Sequence, residues 1–437
     1  METVTVLGAG YVGLTTAACL AHLGHRVHAI DADAARVHRL QAGEIDLLEP
    51  GLPEMVRAHQ QTGHLSFSTD PGSRIGGSDA VLLCLPTPAR VDGSADLAAV
   101  RSWLPHLRRH LSPGRRIILK STVPPGTQRQ LVTVLDRPDI AMISNPEFLR
   151  EGHAIHDWLN PDRIVIGADE PESTRYLSSL YTSLDAPVVE TDPTSAELIK
   201  YAANTFLALK ITYANTLAEL CEHIGANITD VRTGIGHDPR IGNTYLDAGP
   251  GWGGPCLPKD VRALVSTGTR TTTDLGLLHA LLETNAYHQR RIVTLVEQLL
   301  PRPLTGARVA VLGLAFKAAT NDLRDSPALH IANLLAARRA HVTAYDPAID
   351  ASATPTAGQL TLTESATAAV AGADVVLVLT EWPEFAELPW HHLARDMRGD
   401  VVLDTRGKLD RTLLRGAGLH LRTLGEPFSE IAAARTA

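Results

Sequence analysis

The side chain with the most chemical potential is Cys256, in GGPCLPKDVRALV. Pro258 suits the first turn of a helix that begins there. A thiol at a helix N-terminus has a lowered pKa and becomes a better nucleophile. Asp260 lies four residues on and would face the same side, with Lys259 beside it. The competing reading is a packing cysteine, since free cysteine often behaves as a small hydrophobe. Packing is the reading for Cys19, Cys84 and Cys221, which sit in apolar periodic segments. A second pair, Lys200 and Asn204, is spaced i, i+4 and shares one helix face. It either polarises an oxygen or is simply a solvated face. The third feature is Gly8-x-Gly10-x-x-Gly13 in VTVLGAGYVG, with Asp31 18 residues past Gly13. Such glycines allow a tight turn and a close backbone approach, and the helix N-terminus offers N–H groups to a pyrophosphate. Asp31 would accept from ribose hydroxyls, which favours NAD over NADP. A purely structural glycine turn is the alternative. Arg36 either reaches a phosphate or is an exposed helix arginine.

The elements that must position these residues follow from periodicity. ETVTVL, HRVHAID, AVLLCLP, RIILKST, IAMISNPE and RIVIGA read as strands, with helical stretches between the earlier ones. This is the pattern of a parallel sheet covered on both faces. Near residue 193 the texture changes. Thr194 and Glu197 form a T-x-x-E capping-box signature, and an apolar stripe runs on to Ile224. A second long helix is expected from about Thr273 to Leu300. Between them, GNTYLDAGPGWGGPCLPKD carries so many turn residues that it reads as a functional loop. RVAVLGLAF, HVTAYDP, ADVVLVLT and DVVLDT then repeat the opening rhythm. The expected class is α/β, with two Rossmann-like domains of parallel sheet joined by a central long-helix region. The boundaries are 1–192 for the NAD-binding domain, 193–300 for the helical region and 301–437 for the last domain. The end, SEIAAARTA, reads as a short helix with a frayed tail.

Composition narrows the function. The chain has 437 residues, 44% hydrophobic and 20% charged, which suits two or three globular domains. A net charge of −8 and 4% aromatics argue against nucleic-acid binding. The cysteines are far apart with no CxxC, so no metal site is expected. METVTVLGAG lacks the charged and apolar regions of a signal peptide, and no stretch of 18 apolar residues occurs. The expectation is a cytoplasmic protein with no membrane segment.

Taken in order, GAGYVG, LPTP, STVPPGT, NPEFLREG, PDRIVIG, ELIKYAANTFLALKI, DPRIG, GPGWGGPCLPKD, GLAFKAATNDLRDSP and YDP make the chain resemble the UDP-glucose/GDP-mannose dehydrogenase family over almost its whole length. NPEFLREG with PDRIVIG looks most like the UDP-glucose 6-dehydrogenases of that family. The resemblance implies oxidation of UDP-glucose to UDP-glucuronate with two NAD, through a thiohemiacetal and a thioester on Cys256. It implies that Lys200 and Asn204 donate to the oxyanion, and that Asp260 positions water and manages protons. Thr122 and Glu147 would lie near the reacting centre. Gly8, Gly10, Tyr11, Val12, Gly13, Asp31, Arg36, Thr87, Thr122, Glu151, Lys259 and Arg324 would serve the cofactor. Phe148, Leu149, Arg150, Glu151 and Lys200 would line the substrate on one side. Tyr245, Leu246, Asp247, Ala248, Gly249 and Gly253 would line the other, with Lys317 reaching in from the last domain. That domain would cradle the uridine nucleotide. Family members are dimers through the central helices, and Arg240 resembles an arginine that enters the partner's site.

Four positions depart from the family pattern. Pro255 and Leu257 flank the cysteine where Ser and an aromatic are common. Trp252 stands in place of Phe or Tyr, with the sugar pocket expected to change shape. Thr216 replaces a common Glu. Three other functions remain open. They are the same chemistry on GDP-mannose or a UDP-N-acetylhexosamine, a two-electron hydroxy-acid dehydrogenase, and a non-catalytic nucleotide-sugar binder.

Overall fold

The computed structural model describes residues 1–351 and 360–427. The tail helix expected at 429–437 lies outside them. The chain divides into two compact units, Met1–Ala203 with Arg262–Asp274, and Asn204–Val261 with Leu275–Ala437.

The first unit is built on eight strands: β1 (Thr3–Leu7), β2 (Arg26–Ile30), β3 (Leu65–Ser68), β4 (Ala80–Leu83), β5 (Arg116–Leu119), β6 (Ala141–Ser144), β7 (Ile164–Gly167) and β8 (Val188–Thr191). Their order is β3-β2-β1-β4-β5-β6-β7-β8. All neighbours run parallel except β6 and β7, which meet antiparallel at Ser144 and Gly167. The parallel expectation therefore holds but for this one contact. Period-two alternation gives each face its own core. Val4 and Val6 pack with Leu14 and Ala17 on one side. Leu7, Val81 and Leu83 pack with Leu104 and Leu107 on the other.

The second unit carries β9 (Arg308–Leu312), β10 (His341–Tyr345), β11 (Leu360–Leu362), β12 (Val375–Val378), β13 (Val401–Asp404) and β14 (His420–Thr423). The order is β11-β10-β9-β12-β13-β14. The same alternation appears. Val309 and Val311 face Ile331 and Leu335, while Ala310 and Leu312 face Trp390 and Leu393. In both sheets the strand order reverses beside the first strand. That reversal opens a crevice at the carboxyl ends, the usual ligand position in such folds.

The long helix runs Pro193–Ile224, 32 residues. Its start corrects the capping-box reading. Asp192 is the cap, accepting from the N–H groups of Thr194 at 2.9 Å and Ser195 at 3.1 Å. Pro193 then suits the first helical position, which leaves Thr194 inside the helix. Glu197 turns away to another helix, Thr127–Leu135. There it accepts from Gly126, Thr127 and Gln128 at 2.6, 3.2 and 2.8 Å. Burial pushes the Glu197 carboxyl up to about 7, against those three bonds. The other expected helix spans Gly276–Leu299.

Candidate active site

The first glycine turn shows three different uses of a missing side chain. Gly8 has φ +93°, and a Cβ there would come within 2.5 Å of the Cys84 carbonyl oxygen. A Cβ on Gly13 would strike the Gly8 carbonyl at 1.8 Å, so the helix packs directly on the turn. A Cβ on Gly10 would meet nothing within 4 Å. Gly10 thus opens onto free space at the N-terminus of the Tyr11–His22 helix, where a pyrophosphate fits. Asp31 holds the turn by accepting from Ala9 N–H at 2.7 Å. Arg36 lies on Asp31 at 3.2 Å. A carboxylate accepts about four hydrogen bonds, so Asp31 retains capacity for a ribose. The Tyr11 hydroxyl donates to Glu49 and accepts from Gly152 N–H, which ties the turn to the NPEFLREG segment. Thr87 donates to the Thr122 carbonyl at 2.7 Å.

In the same unit, Lys200 and Glu147 form a buried pair with N···O 3.1 Å; their side chains are 4% and 8% exposed. Burial opposes ionisation of Glu147. The charge of Lys200, the Leu149 N–H and the charge of Lys120 outweigh it and hold the carboxyl below its usual range. The Lys200 ammonium also lies 5.2 Å from the Phe148 ring, which carries Arg163 at 3.7 Å. Burial excludes the solvated-face reading of Lys200. Thr122, Glu197 and Lys200 line one small cavity. Arg150 is clamped on Asp157 by bonds of 2.9 and 2.6 Å.

The second unit holds the thiol. Cys256 immediately precedes the helix Leu257–Arg270, and its carbonyl accepts from Asp260 N–H at 3.0 Å. It is the exposed one of the four cysteines. Burial pushes the Cys19 and Cys84 thiols up to about 12 and raises that of Cys221. Asp260 is buried, with Asn204 Nδ2 at 2.6 Å on one oxygen and Lys259 Nζ at 2.5 Å on the other. Asn204 is one helical turn beyond Lys200 and is also buried.

The expected substrate-side residues have mixed placements. Gly249 N–H donates to Asn215 at 2.8 Å. A Cβ on Gly253 would lie 2.1 Å from the Asp325 carbonyl, so only glycine fits there. Leu246 is buried, Asp247 pairs with Arg232, and Ala248 packs beside Ile228. Tyr245 takes φ +64°. Lys317 lies 5.8 Å from the Phe316 ring. Arg324 pairs with Asp322, and Arg240 with Asp238 at 2.6 Å. Trp252 is buried and packs with Ala208, Val261 and Leu281.

The sequence places Asp346 at a strand end, as it does Asp31; its bonds, and the role of Arg406, are visible only in the structure. Asp346 accepts from the N–H groups of Leu314 at 2.7 Å and Ala315 at 2.9 Å. That arrangement repeats the Asp31 arrangement in the second sheet. Arg406 follows β13; its guanidinium donates to the Leu379 carbonyl at 2.9 Å and lies 3.0 Å from Glu381. A Cβ on Gly249 would come within 3.2 Å of it. An arginine just past a strand, in DTRGKLD, was the available signal. Among the described residues no group of acidic, His and Cys side chains could hold a metal. No described helix is long and apolar enough to cross a membrane.

Known proteins give this geometry a context. Residues 2–185 match the NAD binding domain model of the UDP-glucose/GDP-mannose dehydrogenase family. Residues 194–287 match its central domain and 310–411 its UDP binding domain. A UDP-glucose 6-dehydrogenase of Rhizobium meliloti is 38% identical, covering 97% of this chain and 99% of that protein. UDP-glucose 6-dehydrogenase TuaD of Bacillus subtilis is 37% identical, covering 98% and 94%. A UDP-glucose dehydrogenase from Pyrobaculum islandicum superposes with TM-score 0.88 at 38% identity, over 93% of this chain and 95% of that one. A UDP-D-ManNAc dehydrogenase from Pyrococcus horikoshii gives TM-score 0.87 at 26% identity, over 97% and 99%. With its glycine turn, buried Lys200 and exposed Cys256, the chain belongs to the UDP-glucose/GDP-mannose dehydrogenase family, NAD-dependent oxidoreductases of nucleotide sugars.

Proposed function

We propose that this enzyme oxidises C6 of UDP-glucose to the carboxylate of UDP-glucuronate, with Cys256 as the covalent nucleophile. The observation that carries it is the exposed thiol at a helix start, with buried Asp260 one turn on. A two-electron oxidation needs no such thiol. The full-length similarity to proteins named UDP-glucose 6-dehydrogenase supports the choice of sugar.

The turn of Gly8, Gly10, Tyr11, Val12 and Gly13 would hold the NAD pyrophosphate and Asp31 its ribose, with Arg36, Thr87, Thr122, Glu151, Lys259 and Arg324 around it. NAD, when bound, accepts one hydride from C6 in each of two oxidations. Lys200 and Asn204 donate to the C6 oxygen, where negative charge develops. The Cys256 sulfur adds to the aldehyde carbon to give a thiohemiacetal, so the half-oxidised sugar cannot escape. Loss of the second hydride leaves a thioester. Water then attacks the acyl carbon, the C–S bond breaks, and the thiolate leaves. Asp260, held by Asn204 and Lys259, orients that water and takes its proton. Glu147, its carboxyl held below the usual range, accepts from Lys200 and orients its ammonium. Thr122 acts beside this pair.

Phe148, Leu149, Arg150, Tyr245 to Gly249, Gly253 and Lys317 would bind the nucleotide sugar. The segment 301–437 would take the uridine diphosphate and 1–192 the NAD, with 193–300 between. The enzyme pairs with a second copy through the long helix. Phe206, Tyr213 and Leu220, at a seven-residue spacing, are 61%, 54% and 49% exposed. Arg240, with its side chain 87% exposed, would serve the partner's site.

The test is NADH formation against UDP-glucose, GDP-mannose and UDP-N-acetylhexosamines. UDP-glucose should be preferred, with two NADH per acid. One NADH per product would rule out the four-electron reaction, and preference for another sugar would rule out this substrate.

A further inference from the structure

The segment before Cys256 contains four glycines in GPGWGGPC, which would leave a free chain without a fixed path. In the second unit it is instead gripped from two helices. Gly249 donates its N–H to Asn215 Oδ1 at 2.8 Å, and its carbonyl lies 2.7 Å from His288 Nε2. Trp252 N–H donates to Asn285 Oδ1 at 3.0 Å, while Asn285 Nδ2 donates to the Trp252 carbonyl at 3.0 Å. The Trp252 indole N–H donates to Thr212 Oγ1 at 2.7 Å. Gly251, at φ +110°, must be glycine, since a Cβ would come within 2.6 Å of Asn285 Oδ1. On the cysteine side, Gly254 N–H reaches the Asp325 carbonyl at 3.3 Å.

We infer that Asn285 and His288, with Asn215 and Thr212, are positioning residues that set the Cys256 thiol through the 249–252 backbone. The inference rests on the covalent role of Cys256 proposed above. Its partners are matched to the task. Asn285 supplies both a donor and an acceptor to one residue, which no carboxylate does. His288 is buried and kept neutral down to about pH 4, chiefly by desolvation, so its Nε2 donates to Gly249 while the opposite nitrogen stays unprotonated. Thr212 and Trp252 form a bond that depends on an indole at position 252, where Phe could not donate. The departure at Trp252 therefore adds a fifth bond to the grip. Displacement of about 1 Å at a reacting group lowers rates up to roughly hundredfold.

Two readouts separate positioning from simple support. The first is alkylation of Cys256 by iodoacetamide, followed by peptide mass spectrometry, which needs no knowledge of the sugar. The second is kcat for NADH formation, with KM for NAD as a control. Asn285→Asp keeps the acceptor and loses the donor; His288→Leu loses the donor. Each should change the alkylation rate by at least about threefold and lower kcat about ten- to hundredfold, with KM for NAD within twofold. His288→Gln restores a neutral donor and should recover most of what His288→Leu loses. Parental alkylation and kcat in both Asn285→Asp and His288→Leu would overturn the inference, whatever their melting temperatures. If these do not fold, Trp252→Phe decides by the same readouts, since it keeps a buried ring and removes only the bond to Thr212. Altered alkylation in an enzyme that never oxidises UDP-glucose would sink the proposed substrate and leave the grip standing.

Discussion

Replacing Lys200 with Met separates what the Lys200–Glu147 pair does for folding from what it does for catalysis. The ammonium is 3.1 Å from the carboxylate, and both side chains are almost wholly buried. Removing one partner of a buried pair costs about 3–5 kcal/mol, because the other charge stays desolvated. Here Lys120 also lowers the Glu147 carboxyl and remains after the substitution, so the expected loss is at the lower end, about 3 kcal/mol. Removing both charges in Glu147→Gln/Lys200→Met should return all but about 1 kcal/mol. Activity should behave differently. If Lys200 donates to the developing oxyanion, both variants lose about 10²–10³ in kcat. The assay is urea unfolding and NADH formation on the parent, two single variants and the double. The pH dependence adds a sign. In the parent the folded carboxyl lies below its unfolded value, so its stability is complete above about pH 4.5 and is lost as pH falls through the lower folded value. Without Lys200, burial dominates and raises the carboxyl, so the Lys200→Met deficit at pH 8 should shrink toward pH 5. Equal instability of the single and double variants at pH 8 would refute the pairing argument. Parental kcat in Lys200→Met would refute the oxyanion role.

Other expectations follow from the same geometry. Glu197 is raised to about 7 when folded, so its contribution is full below about pH 4.5 and is lost as pH rises through 7. Urea titrations should show the parent losing about 3 kcal/mol over that window relative to Glu197→Gln; parallel profiles would contradict it. Gly10→Val should keep the parental melting temperature yet weaken NAD binding at least about tenfold, because its Cβ opens only onto the ligand side. Gly8→Ala should melt several degrees lower, given its φ of +93° and the Cys84 carbonyl at 2.5 Å. Under the proposed pairing, the parent should sediment as a dimer and Phe206→Asp with Leu220→Asp as a monomer in analytical ultracentrifugation; a monomeric parent or an unchanged sedimentation coefficient would exclude pairing through that helix face.

What was legible in the sequence was local. The Gly8 to Gly13 turn, Asp31, the long helices and the Cys256 helix start each depend on residues a few positions apart, so spacing alone located them. β3, β8, β11 and β14 are only three or four residues long, too short for periodicity to stand out even where, as in LSFS of β3, apolar and polar residues alternate. The Thr194–Glu197 signature failed because Asp192 competes for the cap and Glu197 finds three N–H groups some 70 residues away. Lys200 was ambiguous because its partner Glu147 is 53 residues upstream. Trp252 showed as a departure, but its burial and its bond to Thr212 arise only from helix packing. The repeated rhythm showed the likeness of the two sheets, but the second turn has no GxGxxG, so the bonds of Asp346 to Leu314 and Ala315 N–H were not visible.

The measurement closest to the centre of this account is acid formation by Cys256→Ser from UDP-glucose, with NAD binding measured on the same preparation. Retained NAD affinity with turnover lowered at least about a thousandfold is the expected result. UDP-glucuronate produced at the parental rate would mean that sulfur carries no intermediate.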